Sequence, residues 1–141
     1  MVLASEGKPF SRPAIDQAAR LADGSPVAVV SVARMYGSAY GLPNPGLMPT
    51  RSELAAQQDQ VNRALQILGR RGLECYGQVA IARRATKAIA KAAAARGADH
   101  IVIDVRAGPR WRQVVEGDLV KELQRKCGRG IEIHPVRVAG S

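Results

Sequence analysis

Residues 98–112 read ADHIVIDVRAGPRWR, and this stretch decides the fold. Its centre, the run from Ile101 to Ile103, is apolar without alternation and too short for a helix. Such a run is typical of a strand covered on both faces, in the middle of a parallel sheet. A basic loop containing Gly108 and Pro109 follows it. We therefore predict a central strand whose carboxyl end opens into a ligand-binding loop.

A helix is predicted directly after this loop. Four apolar residues recur at every fourth position: Val115, Leu119, Leu123 and Cys127. This spacing places them on one helical face, and Gly128 is the residue at which the helix is expected to end. Strand, loop and helix in this order are typical of open α/β sheets, which bind ligands at the carboxyl ends of their strands.

The rest of the chain predicts four further strands and three further helices. The strands are expected at 1–5, 27–32, 75–82 and 131–138, and the helices at 11–24, 50–72 and 86–97. Right-handed crossovers between alternating strands and helices give a single open, doubly wound, five-stranded parallel sheet. Its predicted strand order is 3-2-1-4-5, with helices on both faces and one domain over residues 1–141. The switch point between strands 1 and 4 is the expected ligand site.

Several local features support these boundaries. Ser11 is a predicted N-cap with Pro13 in the first helical turn, and Thr50 with Glu53 forms a capping box. Thr86 is the predicted N-cap of the third helix. The segment from Ala33 to Pro49, rich in Gly and Pro, is predicted to be a loop.

Two side-chain placements are predicted as well. Gln57, together with Gln58, Asp59 and Arg63, is expected to face outward from the second helix. Pro135 indicates that the last strand lies at a sheet edge, because proline cannot donate to a ladder.

The charge favours anionic partners. The 141 residues carry 21 Lys and Arg against 12 Asp and Glu, a formal net charge of +9. Only five residues are Phe, Trp or Tyr, too few for a base-stacking platform. A coding bias toward Arg and Ala is the alternative explanation of the charge.

Two lone cysteines, Cys75 and Cys127, favour reduced thiols and a cytoplasmic location. No apolar run approaches the ~20 residues of a membrane span.

No catalytic or metal-binding pattern is present in the sequence. His100 and His134 have no partner at i,i+4 and no neighbouring CxxC, so no metal site is predicted. The sequence contains no G-x-S-x-G, so hydrolase chemistry has no support, and we expect a protein that is not an enzyme.

Three stretches together resemble the universal stress protein family over roughly Val2 to Val138. Residues 2–7 read VLASEG, with Ser11 opening a helix, and resemble the family's "V-A-T-D-G-S". Residues 98–103 read ADHIVI and resemble "A-D-L-I-V-I", and an apolar final strand follows in the matching place. The resemblance implies an adenine nucleotide alpha hydrolase-like fold and a role in stress response. It also implies a homodimer through the last strand, at Ile131, Ile133, Val136 and Val138.

The family's nucleotide motif is degenerate in this chain. ATP-binding members carry Gly-x2-Gly-x9-Gly-Ser/Thr after the fourth strand. With Gly117 as the last glycine, Asp104 and Ala107 replace the first two, and Asp118 replaces the hydroxyl residue. Glycines let the backbone approach phosphates closely, so these replacements predict an eroded site.

The candidate cofactor-binding residues flank the predicted switch point: Ser5, Glu6, Gly7, Asp104, Arg106, Ala107, Gly108, Gly117 and Asp118. We expect no cofactor, although the resemblance allows ATP or another adenine nucleotide.

Three functions stay open from the sequence. The first is a non-enzymatic, dimeric stress-response protein that acts through protein contacts. The second is an ATP-, AMP- or cyclic-nucleotide-binding regulator in which Arg106, Arg110 and Arg112 recruit the anion. In the competing interpretation, these arginines are solvated or pair with Asp104 and Asp118. The third function is a basic module that docks on RNA, a ribosome or an acidic protein.

Overall fold

Helices and strands alternate along the chain in a computed structural model that describes residues 1–34, 50–106, 120–128 and 130–138. The elements are β1 (Val2–Ser5), α1 (Arg12–Ala22), β2 (Val27–Arg34), α2 (Arg51–Arg70), β3 (Cys75–Ala82), α3 (Ala85–Arg96), β4 (His100–Arg106), α4 (described over 120–127) and β5 (Glu132–Val138). Each predicted strand is present. Four of them have boundaries within two residues of the prediction, and β4 ends three residues beyond the apolar run that predicted it.

The five strands form one parallel sheet in the order β3-β2-β1-β4-β5. β1 lies between its two neighbours, so that Val2 is opposite Ala28 on one side and Ile101 on the other. The predicted fold class and strand order are therefore confirmed. β1 and β4 are adjacent although distant in sequence, which places the switch point between them.

Helices cover both faces of the sheet, as predicted. On one face, α1 and α2 pack Ile15, Val61 and Leu68 against Leu3 and Val102 of the strands. The other face is covered by α3 and α4 and has a second buried cluster: Val2, Ala4, Ala28, Val30, Val32, Ala85, Ile89, Ala93, Ala98, Ile101, Ile103 and Leu123. The alternation of strand side chains divides the apolar runs between these two clusters.

The two helices of the first face begin as the sequence predicts. Ser11 Oγ accepts the N–H of Ala14 at 3.3 Å, and Pro13 lies in the first turn of α1. Thr50 Oγ1 accepts the N–H of Glu53 at 3.1 Å at the start of α2. These caps satisfy backbone donors that have no partner within the helix.

Three predicted helix ends were displaced by one or two residues. At α2 the C-cap is Arg71, one residue before the predicted Gly72. Arg84 is the N-cap of α3, without a side-chain cap bond, and Thr86 is buried inside the helix. The turn before β2 needs a left-handed residue one position earlier than predicted, so Asp23 is the C-cap of α1 with φ 46°, ahead of Gly24.

The loop predicted to start at Ala33 starts later, because β2 pairs with β3 as far as Arg34. The remainder of that predicted loop, residues 35–49, lies outside the described residues, as do Val115 and Leu119 of the predicted fourth helix. The described part of α4 agrees with the prediction: Leu123 is fully buried, and Gly128 follows the helix with φ 77°.

A glycine lets α2 lie close to the edge strand β3. A Cβ atom added to Gly77 would lie 2.6 Å from Val61 Cγ1 and 2.7 Å from Leu65 Cδ1. Atoms cannot approach this closely, so the absence of a side chain at this position sets the distance between helix and strand.

Cys75 and Cys127 are free and half-buried, and burial raises the pKa of both thiols. Among the described helices, none combines the length and the apolar character needed to cross a membrane.

Candidate functional site at the carboxyl end of the sheet

Three polar residues lie side by side toward the carboxyl ends of three neighbouring strands: Ser5 of β1, Ser31 of β2 and Asp104 of β4. Ser5 and Ser31 are opposite each other in the ladder, and Asp104 lies one residue beyond the Ala4–Ile103 pair. We call these three residues the polar row. All three are buried, with 0% exposure at the serines and 6% at Asp104. Each lies two residues after a strand residue of the α1 and α2 cluster (Leu3, Val29 and Val102), so the row is on the same face of the sheet as that cluster.

Asp104 joins the row to the start of α1. The N–H of Ser11, the N-cap residue, donates to Asp104 Oδ2 at 2.5 Å. A carboxylate is favoured beside a helix N-terminus, where unpaired N–H groups give a partial positive charge. The chain therefore places one of its own carboxylates where this fold offers a site for an anion.

Ser5 holds the turn that follows β1. Its hydroxyl donates to the Lys8 carbonyl at 2.7 Å and accepts the N–H of Lys8 at 3.1 Å. Gly7 has a φ of 74° within this turn, and Glu6 beside it is half-buried. The predicted residues Ser5, Glu6 and Gly7 thus form one compact turn at the switch point.

Gln57 enters the site from α2, contrary to the predicted outward position. Ser31 Oγ donates to Gln57 Oε1 at 3.0 Å. A Cβ atom on Gly7 would lie 3.1 Å from Gln57 Nε2, so this amide also packs against the β1 turn. The inward position of Gln57 could have been predicted from the helical spacing. Gln57 precedes buried Val61 by four residues and buried Leu68 by eleven, so the three share one face of α2. Ser31, in a strand predicted to be buried, also needed a hydrogen-bond partner, and Gln57 provides it.

The remaining predicted site residues lie beyond the row. Arg106 ends β4, two residues after Asp104. Four others lie outside the described residues: Ala107, Gly108, Gly117 and Asp118. The structure therefore brings the β1 turn and Asp104 together at the switch point.

The described polar side chains of this site are hydrogen-bonded within the protein. The Ser5 hydroxyl is bonded within its own turn, the Ser31 hydroxyl is bonded to an amide, and the Asp104 carboxylate accepts a helix N–H. Such an arrangement rigidifies the carboxyl end of the sheet.

At the opposite end of β4, the two histidines of the chain meet. His100 Nδ1 lies 3.2 Å from His134 Nε2, with ring centroids 5.3 Å apart. The prediction of no metal site rested on their spacing in sequence. The pairing of β4 with β5 brings the two histidines together although they are 34 positions apart in sequence.

Solved structures show which proteins share this arrangement of strands and helices. A universal stress protein from Archaeoglobus fulgidus superposes with a TM-score of 0.67, covering 96% of this chain and 92% of its own, at 18% identity. The chain has the universal stress protein fold. A family protein from Burkholderia pseudomallei gives a TM-score of 0.64 at 16% identity, over 96% of this chain and 94% of that one. The predicted resemblance is thus confirmed at the level of the fold.

One of these solved structures contains a nucleotide. The Archaeoglobus fulgidus protein in complex with dAMP superposes with a TM-score of 0.66 at 17% identity, over 95% of this chain and 94% of that one. No protein-family model matches this sequence, and no curated protein sequence does. The likeness therefore concerns the fold, and the chemistry must be argued from the chain's own residues.

Proposed function

We propose that this chain is a non-enzymatic regulatory protein of the universal stress protein type. It acts in stress response through contacts with other proteins, as a homodimer, and its nucleotide site is degenerate. The universal stress protein fold over nearly the whole chain supports the type of protein. The polar row supports the degenerate site.

The contact of Asp104 with Ser11 is the observation that carries the proposal. Its carboxylate accepts the N–H at the start of α1, at the switch point where this fold class binds ligands. A phosphate approaching that N–H would meet a buried negative charge. At 4 Å and an effective dielectric constant of ~20, two like charges repel by about 4 kcal/mol before screening by salt.

The sequence beyond β4 points the same way. Ala107 and Asp118 stand where ATP-binding members have glycine and a hydroxyl residue. Both lie outside the described residues and are compared with the family by residue type. A Cβ atom hinders close backbone approach to phosphate, and a second carboxylate adds further repulsion.

The proposed dimer forms along β5, the edge strand beside β4. Ile131 and Ile133 pack, partly buried, against the α3 and α4 cluster, and Val136 packs against the other cluster. A dimer through this strand would therefore rest on the unpaired backbone groups of its outer edge, with Pro135 limiting the length of pairing. Sedimentation at micromolar concentration checks the proposal, and a 15.0 kDa species would contradict it.

The second candidate is an adenine-nucleotide-binding regulator. It is favoured by the dAMP complex of a universal stress protein with this fold. In this case, Arg106, Arg110 and Arg112 would offset the carboxylates and recruit the phosphate. The net charge of +9 agrees with either candidate and does not separate them.

Calorimetric titration with ATP and Mg²⁺ distinguishes the two candidates. Under the first, no sub-micromolar binding occurs, and the combined change Asp104→Gly, Ala107→Gly and Asp118→Ser raises the affinity. If the loss of Asp104 impairs folding, a double variant with Ala107→Gly and Asp118→Ser serves instead. It keeps the contact of Asp104 with Ser11 and changes only the loop residues. Tight binding by the unchanged chain, lost on replacing Arg106, Arg110 and Arg112 with Gln, would establish the second candidate.

A further inference from the structure

Three side chains converge at the amino end of β4 and β5, away from the polar row. His100 is the first residue of β4, and Glu132, the first of β5, is opposite it in the ladder. His134 lies two residues further along β5, opposite Val102. We call His100, Glu132 and His134 the His–Glu cluster.

The nitrogen and oxygen atoms of the cluster form a nearly equilateral triangle. His100 Nδ1 and His134 Nε2 are 3.2 Å apart, and Glu132 Oε2 lies 3.6 Å from the first and 3.5 Å from the second. Ligand atoms at about 2.0–2.1 Å from a tetrahedral zinc ion are about 3.4 Å from one another. The triangle therefore has the size of one face of a zinc tetrahedron.

A hydrogen bond between the two imidazoles explains only one side of this triangle. It accounts for the 3.2 Å contact, but the carboxylate oxygen lies at the limit of hydrogen bonding to either nitrogen. A single oxygen that faces two nitrogens almost equally is the arrangement expected around a shared cation.

We propose that His100, His134 and Glu132 bind a zinc ion, with water in the fourth position. Two imidazoles and one carboxylate are a ligand set that zinc accepts, whereas magnesium and calcium prefer oxygen ligands throughout. The ion would join the edge strand β5 to β4. This proposal does not depend on the proposed function, because the cluster shares no residue with the polar row.

The cluster is both ordered and accessible. Strand pairing fixes the register of its three residues, and the N–H of Glu132 donates to the Asp99 carbonyl at 2.9 Å. The side chains of His100 and His134 are 31% and 25% exposed, and that of Glu132 is 72% exposed. Little reorganisation is needed before an ion can enter from solvent.

The test is calorimetric titration of tag-free, chelator-treated protein with zinc chloride. We expect one equivalent to bind, and Co²⁺ in its place to give the visible spectrum of a tetrahedral site. His100→Ala, His134→Ala and Glu132→Gln should each weaken binding by about 100-fold or more, since even losing a residue that only supports a ligand weakens metal binding by about 10–100-fold. The exposed Glu132 should be replaceable without loss of fold, as circular dichroism will check.

Two matched controls locate the ion. Asp59→Asn removes an exposed carboxylate from α2 and should leave the zinc affinity unchanged. The double change Cys75→Ser and Cys127→Ser removes both thiols and should also leave it unchanged. The proposal is overturned if the cluster variants bind zinc as tightly as the unchanged chain, if the thiol variant alone loses binding, or if no zinc binds at micromolar concentration.

Discussion

The two ends of β4 use polar side chains in opposite ways. At the carboxyl end, Asp104 is buried and accepts a backbone N–H from the start of α1. At the amino end, His100 meets the side chains of Glu132 and His134 on the neighbouring strand. The first group is tied to the backbone of another element. The second meets side chains that are themselves partly exposed.

The contact at the carboxyl end of β4 thus contributes to stability, whereas the side chains at its amino end form the proposed ion site. A buried carboxylate is tolerated when hydrogen bonds compensate its desolvation, so removing it disturbs the fold. Partly exposed side chains that face one another contribute little to the free energy of unfolding, and they remain accessible to a bound ion. The carboxyl end of the sheet, where α/β folds usually bind ligands, here includes the buried contact of Asp104 with the start of α1, which we call the anchor.

The largest expected effect comes from removing the anchor. Asp104→Ala should lower the free energy of unfolding by about 2 kcal/mol, because the Ser11 N–H loses a charged acceptor. Urea denaturation followed by circular dichroism measures the change. Asp59→Ala, an exposed carboxylate on α2, is the control and should stay within about 0.5 kcal/mol. A more stable Asp104→Ala protein would mean that the carboxylate is retained for binding, and the comparison would be reversed.

A smaller loss is expected in the turn beside the anchor. Gly7→Ala should cost about 1–2 kcal/mol, because an alanine is strained at a left-handed φ. The added Cβ would also press on Gln57 at 3.1 Å. Gly69→Ala is the matched control within α2, where a Cβ meets nothing within 4 Å. It should stabilise the chain by about 0.5–1 kcal/mol in the same urea experiment. Equal effects at the two glycines would show that the turn is not strained.

The smallest expected effect lies at the amino end. Without zinc, Glu132→Gln should change the free energy of unfolding by less than about 0.5 kcal/mol, because surface ion pairs contribute little. In zinc-saturated protein, the same variant should melt at a lower temperature than the unchanged chain. Thermal denaturation with and without the metal checks both statements. A clear loss in metal-free protein would mean that the cluster is a structural element like Asp104.

Most of the fold was predictable because it depends on local patterns. The run from Ile101 to Ile103 predicted a doubly covered strand, and the caps Ser11 and Thr50 fixed two helix starts. The errors at Asp23 and Thr86 were local as well, since more than one residue type can occupy a cap. The strand order followed from crossover handedness and connection rules rather than from any single residue.

The site was less predictable because its contacts join distant parts of the chain. Ser5 and Asp104 could be placed at the switch point from topology alone. That Asp104 would meet the N–H of Ser11, 93 residues earlier, required the tilt of α1 on the sheet. The His–Glu cluster required the register of β4 with β5, since a shift by one residue would turn His134 to the other face.

Because Gly77 has no side chain, α2 packs closely on the edge strand, and this affects residues beyond that strand. α2 rests on this position through Val61 and Leu65, and Gln57 lies one turn earlier, about 6 Å along the same helix axis. α2 therefore contacts β3 at Gly77 and, one turn earlier, contacts the Ser31 hydroxyl through Gln57. A methyl group added at Gly77 would press on Val61 and Leu65, and Val61 lies one helical turn from Gln57. The close packing of α2 on this edge glycine thus contributes to the position of Gln57 beside Ser31 and the β1 turn.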